Sequence, residues 1–356
     1  MKASLRSLAV LLGLAALLTG CERPPMDTVQ RGYRGNGMEQ VANPRLVALQ
    51  IPKHQAPDPL PPASSEGPKA SQIYQNVQVL GNLSAGEFVR TMTAITNWVA
   101  PEQGCVYCHN PANFADDSMY TKVVARRMLQ MTQHVNADWK PHVGATGVTC
   151  FTCHRGQPVP AEIWSAQAAK GRPDAMLGNR FGQNEPSLKV GYSSLPVDPF
   201  STYLLGGEQG SNEIRVASKA ALPDRSNPMG TKDAEHTYGL MMHFSGALGV
   251  NCTYCHNTRA MGEWANNPPT RNTAWYGIRM LRDLNSTYLD PLQPVYPAER
   301  LGVLGDAPKA NCATCHQGAY KPLYGVSMLA EHPELAAPSG STTTKVASAA
   351  KEKSKK

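Results

Sequence analysis

The stretch "RRMLQMTQHVNADWKPHVGATGVTCFTCHRG", residues 126–156, ends in two cysteines separated by two residues and followed at once by histidine. The same form occurs four times: CVYCH (105–109), CFTCH (150–154), CTYCH (252–256) and CATCH (312–316). These motifs use eight of the nine cysteines. In an exported chain eight cysteines would ordinarily pair as disulfides, and two such pairs could hold a zinc ion. Neither use explains a histidine at the same place four times. Covalent attachment of c-type haem does, because the thiols form thioethers and the adjacent histidine ligates the iron. Cys105, Cys108, Cys150, Cys153, Cys252, Cys255, Cys312 and Cys315 are therefore the expected attachment points of four haems. His109, His154, His256 and His316 are the expected proximal ligands.

Iron that only carries electrons needs a second axial ligand, and methionine there raises the potential relative to a second histidine. "FVRTMTAITNW" supplies Met92, thirteen residues before Cys105. "YGLMMHF" offers Met241, Met242 and His243, which point about 100° apart on a helix, so only one of them can face a haem. Alignment with Met92 selects Met241 and leaves Met242 to packing. In the opening stretch, a helix over 121–135 puts Thr121, Val124, Ala125, Met128, Met131 and Val135 on one largely apolar face. Met128, near its middle, is the expected distal ligand of the second haem. Met131 reads as core and His134, about 120° round from Met128, as a surface residue. His142 follows Pro141, outside the helix, and is spare for another haem. For the fourth haem the internal repeat nominates Met280, aligned with Met128. Met280 lies 32 residues before Cys312, whereas Met128 lies 22 before Cys150, so the equivalence stays open.

The repeat organises the chain. "GCVYCHN" answers "NCTYCHN", "TCHRG" answers "TCHQG", and "TKVVARRMLQM" answers "TAWYGIRMLRD". The expected fold is mainly α with long loops and little β. Two haem-bearing halves are related by a pseudo-twofold, and the haems form much of the core. Residues 71–156 and 234–325 are these halves, joined by a loop-rich connector (157–233) with a short hairpin around "EIRVAS". Residues 21–70 read as a lipidated N-terminus and extended arm. Residues 326–356 read as a tail, disordered after about 338.

Residues 1–20 read as a signal peptide: Lys2 and Arg6 precede an apolar run from Leu8 to Leu18, which is too short for a bilayer. Leu18-Thr19-Gly20-Cys21 resembles a lipobox, with Cys21 as the lipidated residue. The formal charge is +7. Removing Lys2 and Arg6 leaves +5, of which the tail "TTTKVASAAKEKSKK" carries +4, five lysines less Glu352. With haem propionates added, the folded body is acidic, and no nucleic-acid partner is implied.

Taken together, the four motifs, the lipobox, "RTMTAITNWV", "VVARRMLQMT" with "TGVTC", "GIRMLRDLN" and "TCHQG" resemble the tetrahaem cytochrome subunit of purple-bacterial photosynthetic reaction centres. The resemblance runs from about residue 31 to 325 and is weakest through 157–233. It implies axial pairs Met92/His109, Met128/His154 and Met241/His256. For the fourth haem it implies His316 with His142, reached from the other half, leaving Met280 as packing. It also implies an electron relay at the periplasmic face of the inner photosynthetic membrane, standing on the L and M subunits, with H reached only indirectly. The third motif's haem would reduce the photo-oxidised bacteriochlorophyll pair. The first motif's haem would be refilled by a soluble c-type cytochrome or a high-potential iron–sulfur protein.

Glu87, Glu102, Asp116 and Asp117 are a candidate docking patch for that carrier. Arg271 and Arg279 are candidates for holding propionates or tuning potentials. The competing function, a periplasmic multihaem reductase, needs an open iron position, and the ligands assigned above fill all four.

Overall fold

The computed structural model describes residues 25–30, 39–167, 187–208, 210, 212–216 and 230–338. The expected signal peptide, Cys21 and the tail beyond 338 lie outside the described residues. Among the described residues no helix is long and apolar enough to cross a membrane. The fold is mainly helical, with one two-stranded antiparallel sheet, β1 (Asp27–Gln30) against β2 (Glu39–Ala42).

Four long helices carry the framework: α1 (Ala85–Val99), α2 (Tyr120–Asp138), α3 (Thr231–Leu248) and α4 (Pro269–Asp283). Three of them begin or end on a local signal. Ser84 and Glu87 close a capping box at the start of α1, satisfying main-chain donors that a helix start leaves orphaned. Pro269 opens α4, where its missing N–H costs nothing. Gly249 ends α3 in the left-handed region, with φ 62°. It also lies so close to the Gly318 carbonyl that any Cβ would collide with it.

That approach joins two elements. The second motif of each pair folds as a short helix, Cys150–His154 and Cys312–His316. The first packs on α1, the second on α3, and the two short helices pack on one another. Gly156 N–H donates to the Trp98 carbonyl at 2.8 Å, and Gly318 N–H donates to the Ala247 carbonyl at 2.8 Å. Trp98 lies six residues after Met92, and Ala247 six after Met241. One bond is thus made twice at corresponding places.

Three apolar clusters hold the helices together. Leu80, Ala94, Trp98, Leu129 and Leu335 join α1 to α2. Trp164, Phe200, Tyr203, Leu204, Leu240, Ile278 and Leu281 join the connector to α3 and α4. Val135, Trp139, Met280 and Leu284 join the end of α2 to α4. Met280 is buried in the last of these, and Met131 packs against it.

In the connector, residues 213–216 are irregular and form no hairpin. Their main chain is used elsewhere: the Arg215 carbonyl accepts the Thr237 hydroxyl of α3 at 2.8 Å. The segment 326–336 folds back onto α1 and α2. Thr91 donates to Glu334 at 2.6 Å, His332 lies 2.9 Å from the same carboxylate oxygen, and Leu335 is fully buried. Asn136 of α2 fixes this segment. Its amide donates to the carbonyls of Val148 and Leu335 at 2.9 and 2.7 Å, and its oxygen accepts the Val148 N–H at 2.7 Å.

Asn136→Leu would leave these buried main-chain groups unsatisfied, at about 1–3 kcal/mol each. The expected outcome is a lowered thermal midpoint and faster proteolysis within 326–338, read by differential scanning calorimetry and peptide mapping.

Candidate haem centre

The four helices and the motif loops enclose one continuous, largely apolar cavity of about 2220 Å³. Single small-ligand sites run to about 1,000 Å³, so the space suits several large planar groups. All eight motif cysteines border it, as do Met92, Met128, Met241 and the four motif histidines. The α2 face expected from its periodicity borders it too, through Thr121, Val124, Ala125, Met128, Met131 and Val135. Met242 and Met280 also touch it.

The histidines separate sharply. Among the described residues, those bordering the cavity are His109, His154, His256, His316 and one other, His142. Each turns Nδ1 to a main-chain carbonyl. The partners are Phe114 for His109 (3.0 Å), Gln157 for His154 (2.9 Å), Met261 for His256 (3.1 Å), Ala319 for His316 (2.9 Å) and Thr273 for His142 (2.9 Å). Such a bond fixes the tautomer with the proton on Nδ1 and leaves Nε2 as the free lone pair.

Burial pushes the His142, His154 and His256 rings below the usual imidazole range, against the pull of those carbonyls. Burial, followed by the nearby His142, pushes His316 down to about 4. The rings are thus held neutral, as ligation requires. His54 instead spends Nε2 on the Gln317 carbonyl, and His332 stacks edge-on against Trp98.

His142 and His316 both border the cavity, with ring centroids 6.0 Å apart and ring planes 63° apart. That spacing would let both rings hold one iron. His142 reaches this place because Pro141 and the short helix Lys140–Val143 carry it past the end of α2. Its ring then lies flat against α4 at Gly277. A Cβ there would stand 2.6 Å from the His142 Cε1 and 2.8 Å from its Nδ1. The sequence reading gave Gly277 no role. Its signal was an isolated glycine inside the helical pattern "TAWYGIRMLRD".

The thiols are the second half of the site. Burial pushes Cys108 up to about 11, and Cys150 and Cys312 up to about 12, so they are neutral and weakly nucleophilic near pH 7. Cys153 and Cys315 depart from the expectation of eight separate thioethers. Their Sγ atoms are joined as a disulfide, with Cα atoms 4.4 Å apart. The reason is the packing of the two short motif helices, which brings the second cysteine of each within bridging range. The residues after them cross reciprocally: Arg155 Nη2 donates to the Cys315 carbonyl at 3.4 Å, and Gln317 Nε2 to the Cys153 carbonyl at 3.1 Å.

The charged candidates divide. Arg271 borders the cavity, lies 4.1 Å over the Trp264 ring, and keeps a buried Nη1 without a hydrogen-bond partner, a donor suited to a carboxylate. Arg279 does not border the cavity and pairs with Glu208. Of the acidic group, Glu87 is bound into the α1 cap. Asp116 accepts from Asn110 and Ser118, and Asp117 pairs with Lys122 and Arg126 at 3.1 and 3.0 Å. Glu102 is exposed. Three of the four carboxylates are therefore held in local bonds.

Over residues 22–336 the chain matches the family described as photosynthetic reaction centre cytochrome C subunit. It is 57% identical over 329 residues to the photosynthetic reaction center cytochrome c subunit of Rubrivivax gelatinosus, covering 92% of this chain and 88% of that one. It is 51% identical to the protein so named from Thermochromatium tepidum, over 92% and 79% of the two chains. The counterpart from Roseobacter denitrificans is 40% identical, over 91% and 89%.

Gly277→Val is expected to drive the His142 ring off α4 and break its bond to the Thr273 carbonyl. In the haem-bearing protein this should alter one low-spin signal in electron paramagnetic resonance and leave the others in place.

Proposed function

The chain belongs to the photosynthetic reaction centre cytochrome c subunit family, and we propose that it is a four-haem relay of that family. Membership makes it an electron carrier with covalently bound haem and a subunit of a membrane-associated reaction centre. The observation that carries the finer reading is the set of five cavity-facing histidines, the four motif residues and His142, all with Nδ1 bound to a carbonyl. Four irons with one motif histidine each leave His142 as an additional ligand.

Bound at these sites, haem supplies a one-electron iron couple that changes oxidation state without breaking a substrate bond. Met92 with His109, Met128 with His154, and Met241 with His256 are the proposed axial pairs. His142 and His316 form the fourth, supported by their 6.0 Å ring separation in the cavity wall. Met280 stays in the apolar cluster with Trp139 and Leu284. The eight motif cysteines form the thioethers, so Cys153 and Cys315 bind haem in place of one another. Two haem-bearing segments, 71–156 and 234–325, are related by an approximate twofold, a reading supported by the paired Gly156 and Gly318 bonds. Arg271 is the residue best placed to meet a propionate.

In this reading the subunit takes electrons from a soluble periplasmic carrier, a small c-type cytochrome or a high-potential iron–sulfur protein. It passes them to the photo-oxidised bacteriochlorophyll pair, standing on the L and M subunits at the periplasmic face, and lipid on Cys21 anchors it to the inner membrane. A multihaem reductase would need an iron with an open position, and the proposed ligand set leaves none.

Three measurements test this. After a flash that oxidises the bacteriochlorophyll pair in purified membranes, haem α-band bleaching is expected; its absence would defeat the relay. His142→Met should raise the potential of one haem and change its low-spin signal, while an unchanged fourth haem would reject ligation by His142. Peptide mapping without reductant should find the Cys153 and Cys315 peptides each carrying haem, whereas a peptide pair linked through these cysteines would reject their thioethers.

A further inference from the structure

His134 is no ordinary surface residue. Its Nδ1 lies 2.7 Å from Asp138 Oδ2, one turn along α2, and its Nε2 lies 2.6 Å from Asp283 Oδ2, the last residue of α4. A separation of 2.6 Å between a ring nitrogen and a carboxylate oxygen requires a proton between them. The same holds on the other side, and with both carboxylates ionised only the imidazolium supplies both protons. The Trp139 Nε1–H, 3.2 Å from His134 Nε2 and 3.0 Å from Asp283 Oδ2, therefore belongs to the carboxylate. The other Asp283 oxygen accepts the Thr287 hydroxyl at 2.8 Å.

The groups facing this ring come from every element around it. On α2 they are Asp138 and Arg127, on α4 Asp283, and on the π-helical continuation of α4 (Leu284–Leu289) Tyr288. Tyr288 lies 5.3 Å from the His134 ring, and the Arg127 guanidinium lies 4.4 Å over Tyr288.

The position of this bridge gives it a consequence. It ties the end of α2 to the end of α4, beside the cluster of Val135, Trp139, Met280 and Leu284. Directly after Trp139 comes the short helix that carries His142, and His142 rests on Gly277 of α4. The placement of His142 thus depends on how α2 meets α4. We propose that the His134 imidazolium, held between Asp138 and Asp283, is a positioning group that sets His142 opposite His316. Loss of its proton withdraws the His134 N–H from one of the two carboxylates and loosens the joint. The proposal rests on His142 being an iron ligand.

The sign follows from the surroundings. Hydrogen bonding to Asp283, against burial and with Asp138 assisting, raises the His134 ring above its ordinary 6.5. A raised folded value means that the contribution is complete below about 6.5 and fades as pH climbs through the folded value. Burial works the other way on Asp283, yet bonds from His134, Thr287 and Trp139 hold its carboxyl below the usual range, so it stays ionised throughout that window.

The test uses the haem-bearing subunit, with redox potentiometry and low-spin spectra followed from pH 6 to 9. In the natural protein, the haem ligated by His142 is expected to show a single-proton transition above pH 6.5. Asp138→Asn, at the exposed end of the bridge, should shift that transition down by about half a unit. Asp283→Asn should shift it further, and His134→Gln should abolish it while leaving haem content and the Met/His signals intact. A transition at the same pH in all four proteins, or none in the natural one, overturns the proposal. If Asp283→Asn or His134→Gln fails to fold, the Asp138→Asn shift still decides. Should no haem carry two histidines, the ligand reading has failed. The bridge itself is then read from the thermal midpoint, whose fall with rising pH must begin earlier in Asp138→Asn; identical profiles reject it.

Discussion

Five imidazoles, each held by a hydrogen bond from Nδ1 to a main-chain carbonyl, set the terms for the rest of this structure. The bond fixes which nitrogen faces the cavity and in what direction. At the four motif histidines it forms because the chain after the ring turns back to present a carbonyl. The left-handed residues Arg155 and Gln317, directly after His154 and His316, make that turn at the second and fourth motifs. At the first and third motifs a wider loop does so, and the carbonyl comes five residues on. For His142 the carbonyl comes from Thr273, 131 residues away on α4. Only this last bond requires the two parts of the chain to be correctly placed against each other.

The packing follows from the same demand. The short helices Cys150–His154 and Cys312–His316 lie against each other, and Arg155 and Gln317 reach across to the opposite helix. Behind them α1 and α3 are drawn in by the Gly156 and Gly318 bonds. At Gly249 and Gly277 the approach is so close that no side chain fits, so backbone and ring contacts replace side-chain packing. The joint of α2 with α4 then aligns His142, by an ionic bridge outside and an apolar cluster inside.

Much of this was legible in the sequence where the cause is local. The CxxCH spacing, the helices around Met92, Met128 and Met241, and the α2 face bordering the cavity all arise from neighbours within a few turns. Readings that depended on distant partners fared differently. His134 looks solvent-facing by helical periodicity, yet Asp283, 149 residues on, gives it a second carboxylate. Arg279 sits in a plausible place for a propionate but turns outward to Glu208. The EIRVAS segment has strand-like residues, but its described part finds a helix side chain in place of a strand partner. Residues 326–336 have the composition of a tail and nonetheless bury His332 and Leu335 against α1 and α2.

By itself, then, the sequence determined where two thiols and a histidine fall within five residues, a local pattern whose expected use in this family is haem attachment. It also determined the helical class and the helical faces that bring Met92, Met128 and Met241 to the cavity wall, since periodicity and repetition are local properties. Only the tertiary structure decided where His142 points and what surrounds it. Sequence repetition favoured Met280 for that place. In the fold, Met280 is taken up by the cluster with Val135, Trp139 and Leu284, while Gly277 opens the space for a ring from the other half. That choice turns on the absence of a Cβ and the direction of one carbonyl, and both acquire meaning only when α2 and α4 meet.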